Sequence, residues 1–313
     1  MDTTATLAEA LKAQTGRFAD KSFDWEAFPS NVGFPDLERA QMRFIGAGGS
    51  PKVDDVTTLK PEHFTLSLIY KKPGKFAACH RHEIEESFLV IDGELVVGWE
   101  QDGEVVEVTL GPKDMILNAR DVPHGFRVDG EEPVLMSISV DVGKPMPPVY
   151  HCHPKDNPVE LARRFGARPG NTLGFEATGS HPLQRLMAPY VIRHETARVV
   201  REAAGFERRI YVGDGGVDSE TCRKEMLTIP AGAGVAPFAR DVEDAFLVLE
   251  GELTVGWERE GAQAETVLGP RDVIQTPASR AHWFRNDGAA PATVWYVVGD
   301  AGAETVSFVP ASP

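Results

Sequence analysis

One stretch of this chain occurs twice. FLVIDGELVVGWE, from Phe88 to Glu100, returns as FLVLEGELTVGWE, from Phe246 to Glu258, and LGPKD from Leu110 returns as LGPRD from Leu268. Both pairs are 158 positions apart, and a repeat at one fixed offset indicates a duplicated structural unit. A chain of 313 residues is long enough for two domains that each bury a core. The sequence therefore predicts two copies of one fold.

Each copy is a series of short apolar runs separated by turn residues, which is typical of strands. In the first copy the runs are Leu66 to Tyr70, Phe88 to Ile91, Leu95 to Trp99, Val105 to Leu110, Met115 to Leu117, a strand around Phe126, and Val134 to Val140. Seven or more short strands without intervening helices favour a closed barrel or jelly roll. We expect an all-β fold of two such barrels with short helical arms.

The flanking segments differ from the repeats. We predict an N-terminal arm over 1–58, a first barrel over 59–143, a connector over 144–217 and a second barrel over 218–313. Short helices are expected at Thr6 to Lys12, Val159 to Phe165 and Thr196 to Ala203, and the proline-rich run from Lys144 to Pro158 is expected to lack regular structure.

Charge and hydropathy exclude some classes of partner. The net charge of −15, from 32 Lys and Arg against 47 Asp and Glu, argues against a nucleic-acid partner. No run approaches the ~18 apolar residues of a membrane span, and the first residues lack the apolar core of a secretory signal. Three widely spaced cysteines do not resemble a disulfide framework. We expect a cytoplasmic protein with a small-molecule substrate, and homo-oligomerisation stays open.

Four residues of the first copy have the spacing of a metal site. His80 and His82 are two apart in a predicted strand, so both side chains point to one face. Glu86 follows after a short turn, and His124 comes 38 positions later, directly after Pro123. Three imidazoles and a carboxylate suit Fe, Mn, Ni, Cu or Zn better than Mg or Ca. Glu86 is also the candidate catalytic base.

The first copy resembles the cupin superfamily. Its first motif is matched at five positions, Gly74, His80, His82, Glu86 and Gly93. The second motif, around His124, is matched poorly, since Ala119, Asp121 and Val128 stand where proline, glycine and asparagine are expected. With the repeat, the resemblance covers about 60–142 and 218–300 and implies a bicupin of two jelly-roll barrels.

The resemblance implies several functions. The layout is similar to ring-cleaving and quercetinase-type cupin dioxygenases, so the first expectation is an Fe²⁺ enzyme that acts with dioxygen on a small phenolic or enolic compound. The Cys79–His82 segment also resembles gentisate-type dioxygenases, although those lack the glutamate. The alternatives are a non-oxidative metal-dependent lyase, isomerase or decarboxylase, and a non-catalytic binding protein, sensor or storage protein.

The second copy has lost the ligand pattern. Shifting by 158 places Phe238 at His80, Arg240 at His82, Asp244 at Glu86 and His282 at His124. A guanidinium cannot coordinate a cation, so we expect no metal there. Arg240 and Asp244 are expected either to form a structural ion pair or to line a pocket for a small anion.

Other residues with metal-binding or redox chemistry are interpreted as structural. His151, Cys152 and His153 are expected in a surface loop of the connector, without further ligands at motif spacing. Cys79 should point away from the metal face and pack outside the barrel interior. Trp99 and Trp257, repeated at one position, are expected to be packing residues between the two barrels.

Overall fold

The structure, a computed structural model, describes residues 3–53, 55–303 and 306–311, with side chains from Thr6 onward. Its α-helices are short: α1 (Thr3–Ala13), α2 (Val159–Arg163) and α3 (Pro182–Met187). Single 3-10 turns occur at Phe18–Asp20, Pro29–Asn31, Pro35–Leu37 and Ala188–Tyr190.

Strands make up most of the regular structure. In chain order they are β1 (Thr15–Gly16), β2 (Ala40–Ile45), β3 (Thr65–Lys71), β4 (Phe76–Arg81), β5 (Glu86–Asp92), β6 (Leu95–Gln101), β7 (Glu104–Leu110), β8 (Met115–Asn118), β9 (His124–Arg127), β10 (Val134–Val140), β11 (Val149–Cys152), β12 (Thr172–Gly174), β13 (Val191–Ile192), β14 (Arg198–Arg201), β15 (Glu207–Val212), β16 (Arg223–Ile229), β17 (Asp244–Glu250), β18 (Leu253–Arg259), β19 (Ala262–Leu268), β20 (Val273–Thr276), β21 (His282–Arg285) and β22 (Ala292–Val298). The all-β prediction is confirmed.

The chain forms two compact units. The first unit comprises Phe23–Asp55 and Phe64–Thr196, and the second comprises Met1–Ser22, Val56–His63 and Ala197–Pro313, each within the described residues. The segment predicted as a single N-terminal arm is divided between them. Strand β2 pairs with β3 in the first unit, whereas α1 packs on β18 and β19 in the second.

The first unit contains two six-stranded sheets, ordered β13-β8-β5-β10-β3-β2 and β11-β4-β9-β6-β7-β12. Their alternating apolar side chains meet in one core cluster that includes Phe88, Trp99, Phe126 and Ile138. Strand β10 pairs with β5 so that Ile138 stands opposite Phe88. A smaller cluster around Phe76, Cys79 and Phe165 lies apart from it. Cys79 therefore packs outside the main core, as expected.

The second unit repeats this plan at the same offset. Adding 158 to the first and last residue numbers of β3 and of β5 to β10 gives the first and last residues of β16 and of β17 to β22. The order β20-β17-β22-β16-β15 repeats β8-β5-β10-β3-β2. The exception is β4, whose counterpart at 234–239 forms only isolated bridges, such as Phe238 to His282. Pro237 stands there in place of Cys79, and a proline removes a ladder donor.

Two of the three predicted helices are confirmed, since Thr6 to Lys12 lies in α1 and Val159 opens α2. The predicted helix from Thr196 to Ala203 is wrong. Its Arg198–Arg201 section is strand β14, in which Val199 and Val200 are β-branched and the backbone pairs with β15. The expectation of no regular structure from Lys144 to Pro158 is also wrong in part. Strand β11 begins directly after Pro148, where proline no longer blocks pairing with β4.

Candidate metal centre

Strands β4 and β9 of one sheet and β5 of the other bring the four predicted ligands together. His80 lies in β4 and stands opposite His124, the first residue of β9, while Glu86 opens β5 and His82 follows β4 directly. All four are buried, with 5%, 4%, 4% and 1% exposure for His80, His82, Glu86 and His124. The spacing of the sequence motif therefore converges on one point inside the first unit.

The Glu86 carboxylate lies at the centre of the cluster. Its Oε2 is 3.1 Å from His124 Nε2, 3.7 Å from His82 Nε2 and 3.9 Å from His80 Nε2. The ligand atoms of His80, Glu86 and His124 all lie within 4.8 Å of one another, and no other group of three or more His, Cys, Asp or Glu within the described ranges does so. His82 is tied to the cluster through Glu86.

Hydrogen bonds from the Nδ1 atoms of two histidines fix the orientation of their rings. His80 Nδ1 donates to the Ala78 carbonyl at 2.7 Å, and His124 Nδ1 donates to the Val122 carbonyl at 2.8 Å. With Nδ1 protonated in a neutral ring, the Nε2 lone pair faces Glu86. His124 Nε2 and Glu86 Oε2 lie at hydrogen-bond distance, so a proton or a bound cation between them balances the carboxylate. The donor set therefore fits a divalent transition metal.

The electrostatics favour the protonation state that binds metal. Burial lowers the pKa of His80 well below its usual range, and it lowers the pKa of His82 as well. Burial raises the pKa of Glu86, but His82, His124 and His80 outweigh it and bring that pKa down to about 2. Neutral imidazoles beside an ionised carboxylate are the forms that coordinate a cation.

The backbone that carries Glu86 is held by a buried polar chain. Asn118, opposite Glu86 across the β5 and β8 pair, donates from Nδ2 to the Glu86 carbonyl at 3.2 Å. Trp99 Nε1 donates to Asn118 Oδ1 at 2.8 Å. Trp99, predicted to pack between the two barrels, lies instead in the core of the first unit, where it fixes the start of β5 through Asn118.

A buried arginine faces the same site and was missed by the sequence analysis. Arg39, directly before β2, lines a cavity of about 20 Å³ together with His80, His82 and Glu86. Its guanidinium carbon lies 3.8 Å from the centroid of the Phe28 ring, and its Nε is buried without a hydrogen-bond partner. No motif marks Arg39, because it lies outside the repeat and reaches the site only through the pairing of β2 with β3.

At the matching position of the second unit, side chains of the protein itself surround the carboxylate, while Asp244 Oδ1 and His282 Nε2 are buried without a hydrogen-bond partner. Tyr296 accepts from Arg240 Nε at 2.5 Å and donates to Asp244 Oδ2 at 2.9 Å. Arg240 Nε is 3.5 Å and His282 Nε2 is 3.2 Å from the same carboxylate oxygen. The Phe238 ring lies 4.1 Å from the His282 ring. The predicted contact between Arg240 and Asp244 is confirmed.

The segment His151, Cys152 and His153 is not a surface loop, so that expectation is wrong. Cys152 stands opposite Cys79 across β11 and β4, and Cys152 and His153 are buried. His151 Nε2 lies 2.7 Å from Glu100 Oε2, while the His153 ring packs on Phe34 and Tyr150. Pairing with β4 draws the segment against the first unit, where its histidines contact partners other than the metal cluster.

Comparison with known proteins agrees with this architecture. The cupin domain family matches residues 68–142 and again residues 225–299. These two stretches are cupin domains. The protein is therefore a bicupin, in which the first domain carries the candidate metal centre and the second carries the Arg240 cluster. No curated protein sequence matches the chain.

Solved oxalate decarboxylases share the fold. A Bacillus subtilis variant has a TM-score of 0.66 and 16% identity over 94% of this chain and 79% of that chain. A Lactobacillus farciminis formate complex has a TM-score of 0.67 and 13% identity over 94% and 88%. A further Bacillus subtilis structure, studied for its Mn(II) centres, has a TM-score of 0.66 and 15% identity over 94% and 79%. At these identities the likeness establishes the fold.

None of the described helices is long and apolar enough to span a membrane.

Proposed function

We propose that this bicupin is a metal-dependent lyase that decarboxylates an organic acid without net consumption of dioxygen. The observation that carries the proposal is the buried Arg39 guanidinium beside the metal cluster. A cation taken out of water needs an anionic partner or strong hydrogen bonds. Arg39 Nε has no hydrogen-bond partner, and the Glu86 carboxylate, which interacts with the Arg39 charge, also lies against three imidazoles. A substrate carboxylate would satisfy Arg39.

The chain's own residues divide the work. His80, His82, Glu86 and His124 would hold one divalent ion, which would polarise a substrate oxygen as a Lewis acid. Arg39 binds and orients a carboxylate, for which a guanidinium has matching bidentate geometry. In decarboxylation the bond to the carboxyl carbon breaks, CO₂ leaves, the electron pair stays on the substrate carbon, and water supplies the proton.

The charge state of Glu86 limits its role. With a pKa of about 2, its carboxylate is ionised near neutral pH, so it acts as a ligand or as a base and not as a proton donor. This is consistent with the sequence-based interpretation of Glu86 as a base. We propose that it accepts a proton only in a step in which the substrate displaces it from the ion.

The structural neighbours support the lyase over the dioxygenase. Those named above are oxalate decarboxylases, and one was studied for Mn(II) centres, which makes Mn²⁺ the first ion to test and Fe²⁺ the second. Four protein ligands would leave positions of a six-coordinate ion open to a substrate or to dioxygen. The dioxygenase is therefore the competing function that an assay must separate.

The test measures two gases on the same sample. Protein loaded with Mn²⁺ or Fe²⁺ is incubated with oxalate, oxaloacetate and a series of 2-oxo acids, and separately with catechol, gentisate and a flavonol, while CO₂ release and O₂ uptake are recorded. We expect CO₂ from an acid without stoichiometric O₂ uptake. Uptake of one O₂ per turnover would establish the dioxygenase instead, and absence of turnover on every compound would favour a binding protein.

Arg39 provides the control for this assay. Arg39→Gln should raise KM for the acid by about 10-fold to 100-fold, since a charge-assisted bidentate contact is lost. The four ligands are untouched, so the metal content should stay at the wild-type value. Equal KM values for the variant and the wild type would remove Arg39 from the site.

A further inference from the structure

A second cavity lies next to the metal cavity in the first unit. We call it the outer chamber; its volume is about 380 Å³, at the lower end of the range for small-molecule pockets. It is formed by two loops and the proline-rich segment before β11. Its lining is Phe28, Pro29, Ser30, Gly49, Ser50, Pro51, Val53, Lys144, Pro145, Met146, Pro147, Pro148 and Tyr150.

The outer chamber and the metal cavity share walls. Phe28, Gly49 and Pro148 line both, and Phe28 is also the ring on which the Arg39 guanidinium stacks. The metal cavity, at about 20 Å³, is much smaller than the outer chamber. Only the small reacting end of a substrate can enter it, and the rest of the molecule must lie elsewhere.

The polar atoms of the outer chamber are already paired. Tyr150 Oη and Ser30 Oγ are 2.7 Å apart, and Ser50 Oγ donates to the Ala27 carbonyl at 2.7 Å. Lys144 is exposed to solvent. The remaining lining side chains are prolines, Phe28, Val53 and Met146. The chamber therefore offers apolar contact and few free hydrogen-bonding groups to a ligand.

We propose that the substrate is a carboxylic acid with an apolar chain or ring, and that this apolar part lies in the outer chamber while the carboxylate is bound by Arg39. This inference rests on the function proposed above and specifies its substrate class. With a volume of about 380 Å³, the chamber lies within the range of small-molecule pockets and can hold a short chain or a single ring. Oxalate has no apolar part and would leave the chamber empty.

The test measures binding against chain length. Mn²⁺-loaded protein is titrated by calorimetry with pyruvate, 2-oxobutanoate, 2-oxopentanoate, 2-oxohexanoate and phenylpyruvate, with oxalate as the short reference. Burial of each methylene should tighten Kd by about threefold to fourfold. Phenylpyruvate should bind more tightly than pyruvate by on the order of 100-fold. A Kd that does not change along the series, or an oxalate Kd as low as that of phenylpyruvate, would overturn the inference.

Matched variants distinguish the contribution of the outer chamber to ligand affinity from that of the carboxylate contact with Arg39. Met146 lines the chamber and is 58% exposed, so Met146→Glu should leave the fold intact and flatten the dependence on chain length. Val149, 57% exposed and outside the chamber lining, supplies the control Val149→Glu, which should keep the wild-type dependence. Arg39→Gln should weaken every acid by a similar factor and keep the dependence. The assignment of the apolar part to the outer chamber would be contradicted if Val149→Glu flattened the dependence of Kd on chain length, or if Met146→Glu left it unchanged.

The outcomes also distinguish this inference from the proposed function. Tight binding that grows with chain length, without CO₂ release from any acid, would refute the lyase and leave the chamber assignment standing. Release of CO₂ from oxalate, with no dependence on chain length, would support the lyase and refute the chamber assignment.

Discussion

The two cupin domains place a carboxylate at the same point of one scaffold and neutralise it differently. In the first domain Glu86 is surrounded by three imidazoles, and a bound cation would balance its charge. In the second domain the guanidinium of Arg240 is part of the chain and lies beside Asp244. The second domain thus supplies with a side chain the positive charge that a metal ion would supply in the first.

A further pair of residues decides whether there is space beside the carboxylate. Ile138 lines the metal cavity of the first domain, and the residue 158 positions later is Tyr296. Tyr296 stacks on Phe246 at 4.6 Å and its hydroxyl bridges Arg240 and Asp244. The larger ring fills the position that borders the metal cavity in the first domain. These contacts favour the structural ion pair over an anion pocket in the second domain.

The largest expected effect is the loss of metal from the first domain alone. Glu86→Gln keeps the shape of the side chain and removes the charge, so metal affinity should fall by at least about 100-fold. Asp244→Asn is the same change at the matching position and should leave metal content at the wild-type value. Metal analysis after dialysis measures both. Retention of metal by Glu86→Gln, or its loss from Asp244→Asn, would invert the assignment of the two domains.

The next effect concerns stability. Asp244→Ala leaves the Arg240 guanidinium buried without its carboxylate, which should cost about 3–5 kcal/mol of unfolding free energy. In metal-free protein Glu86→Ala should cost less unfolding free energy than Asp244→Ala. The groups left closest to position 86 are then neutral imidazoles and not a buried cation. Urea denaturation of the two variants in the presence of a chelator gives the comparison. Equal losses would mean that Arg240 does not depend on Asp244 for its charge balance.

How much of this could be predicted from the sequence differs between the two parts of the site. His80, His82 and Glu86 follow from local spacing, because alternation along a strand and a short turn fix their side chains. Arg39 could not be predicted, since its position depends on pairing between β2 and β3, which are far apart in sequence. By contrast, β14 and β15 form a local hairpin, and the β-branched Val199 and Val200 are a local signal for a strand that the helix prediction did not weigh.

Metal removal should destabilise the first domain by a moderate amount. An ion present at about 100 times its Kd contributes about 2.7 kcal/mol, which corresponds to roughly 5–10 °C in Tm for a domain of this size. Calorimetry of wild-type protein with and without chelator measures the shift. Glu86→Gln is the control and should show no shift. A shift of the same size in Glu86→Gln would show that the stabilising ion binds outside this cluster.

The smallest effect tests whether the tyrosine hydroxyl is what closes the second cluster. Tyr296→Phe keeps the ring on Phe246 and removes only the hydroxyl that bridges Arg240 and Asp244. Arg240 Nε and Asp244 Oδ2 are themselves 3.5 Å apart. Losing a buried hydrogen bond that joins two charged groups should cost about 1–3 kcal/mol in urea denaturation. The matching change in the first domain, Ile138→Val, should cost about 1 kcal/mol through lost packing, with no change in charge balance. High salt should leave both losses unchanged, because buried contacts are screened little. A Tyr296→Phe variant as stable as the wild type would show that Arg240 and Asp244 form a sufficient pair by themselves, and that the tyrosine serves only to fill the space that the first domain keeps open.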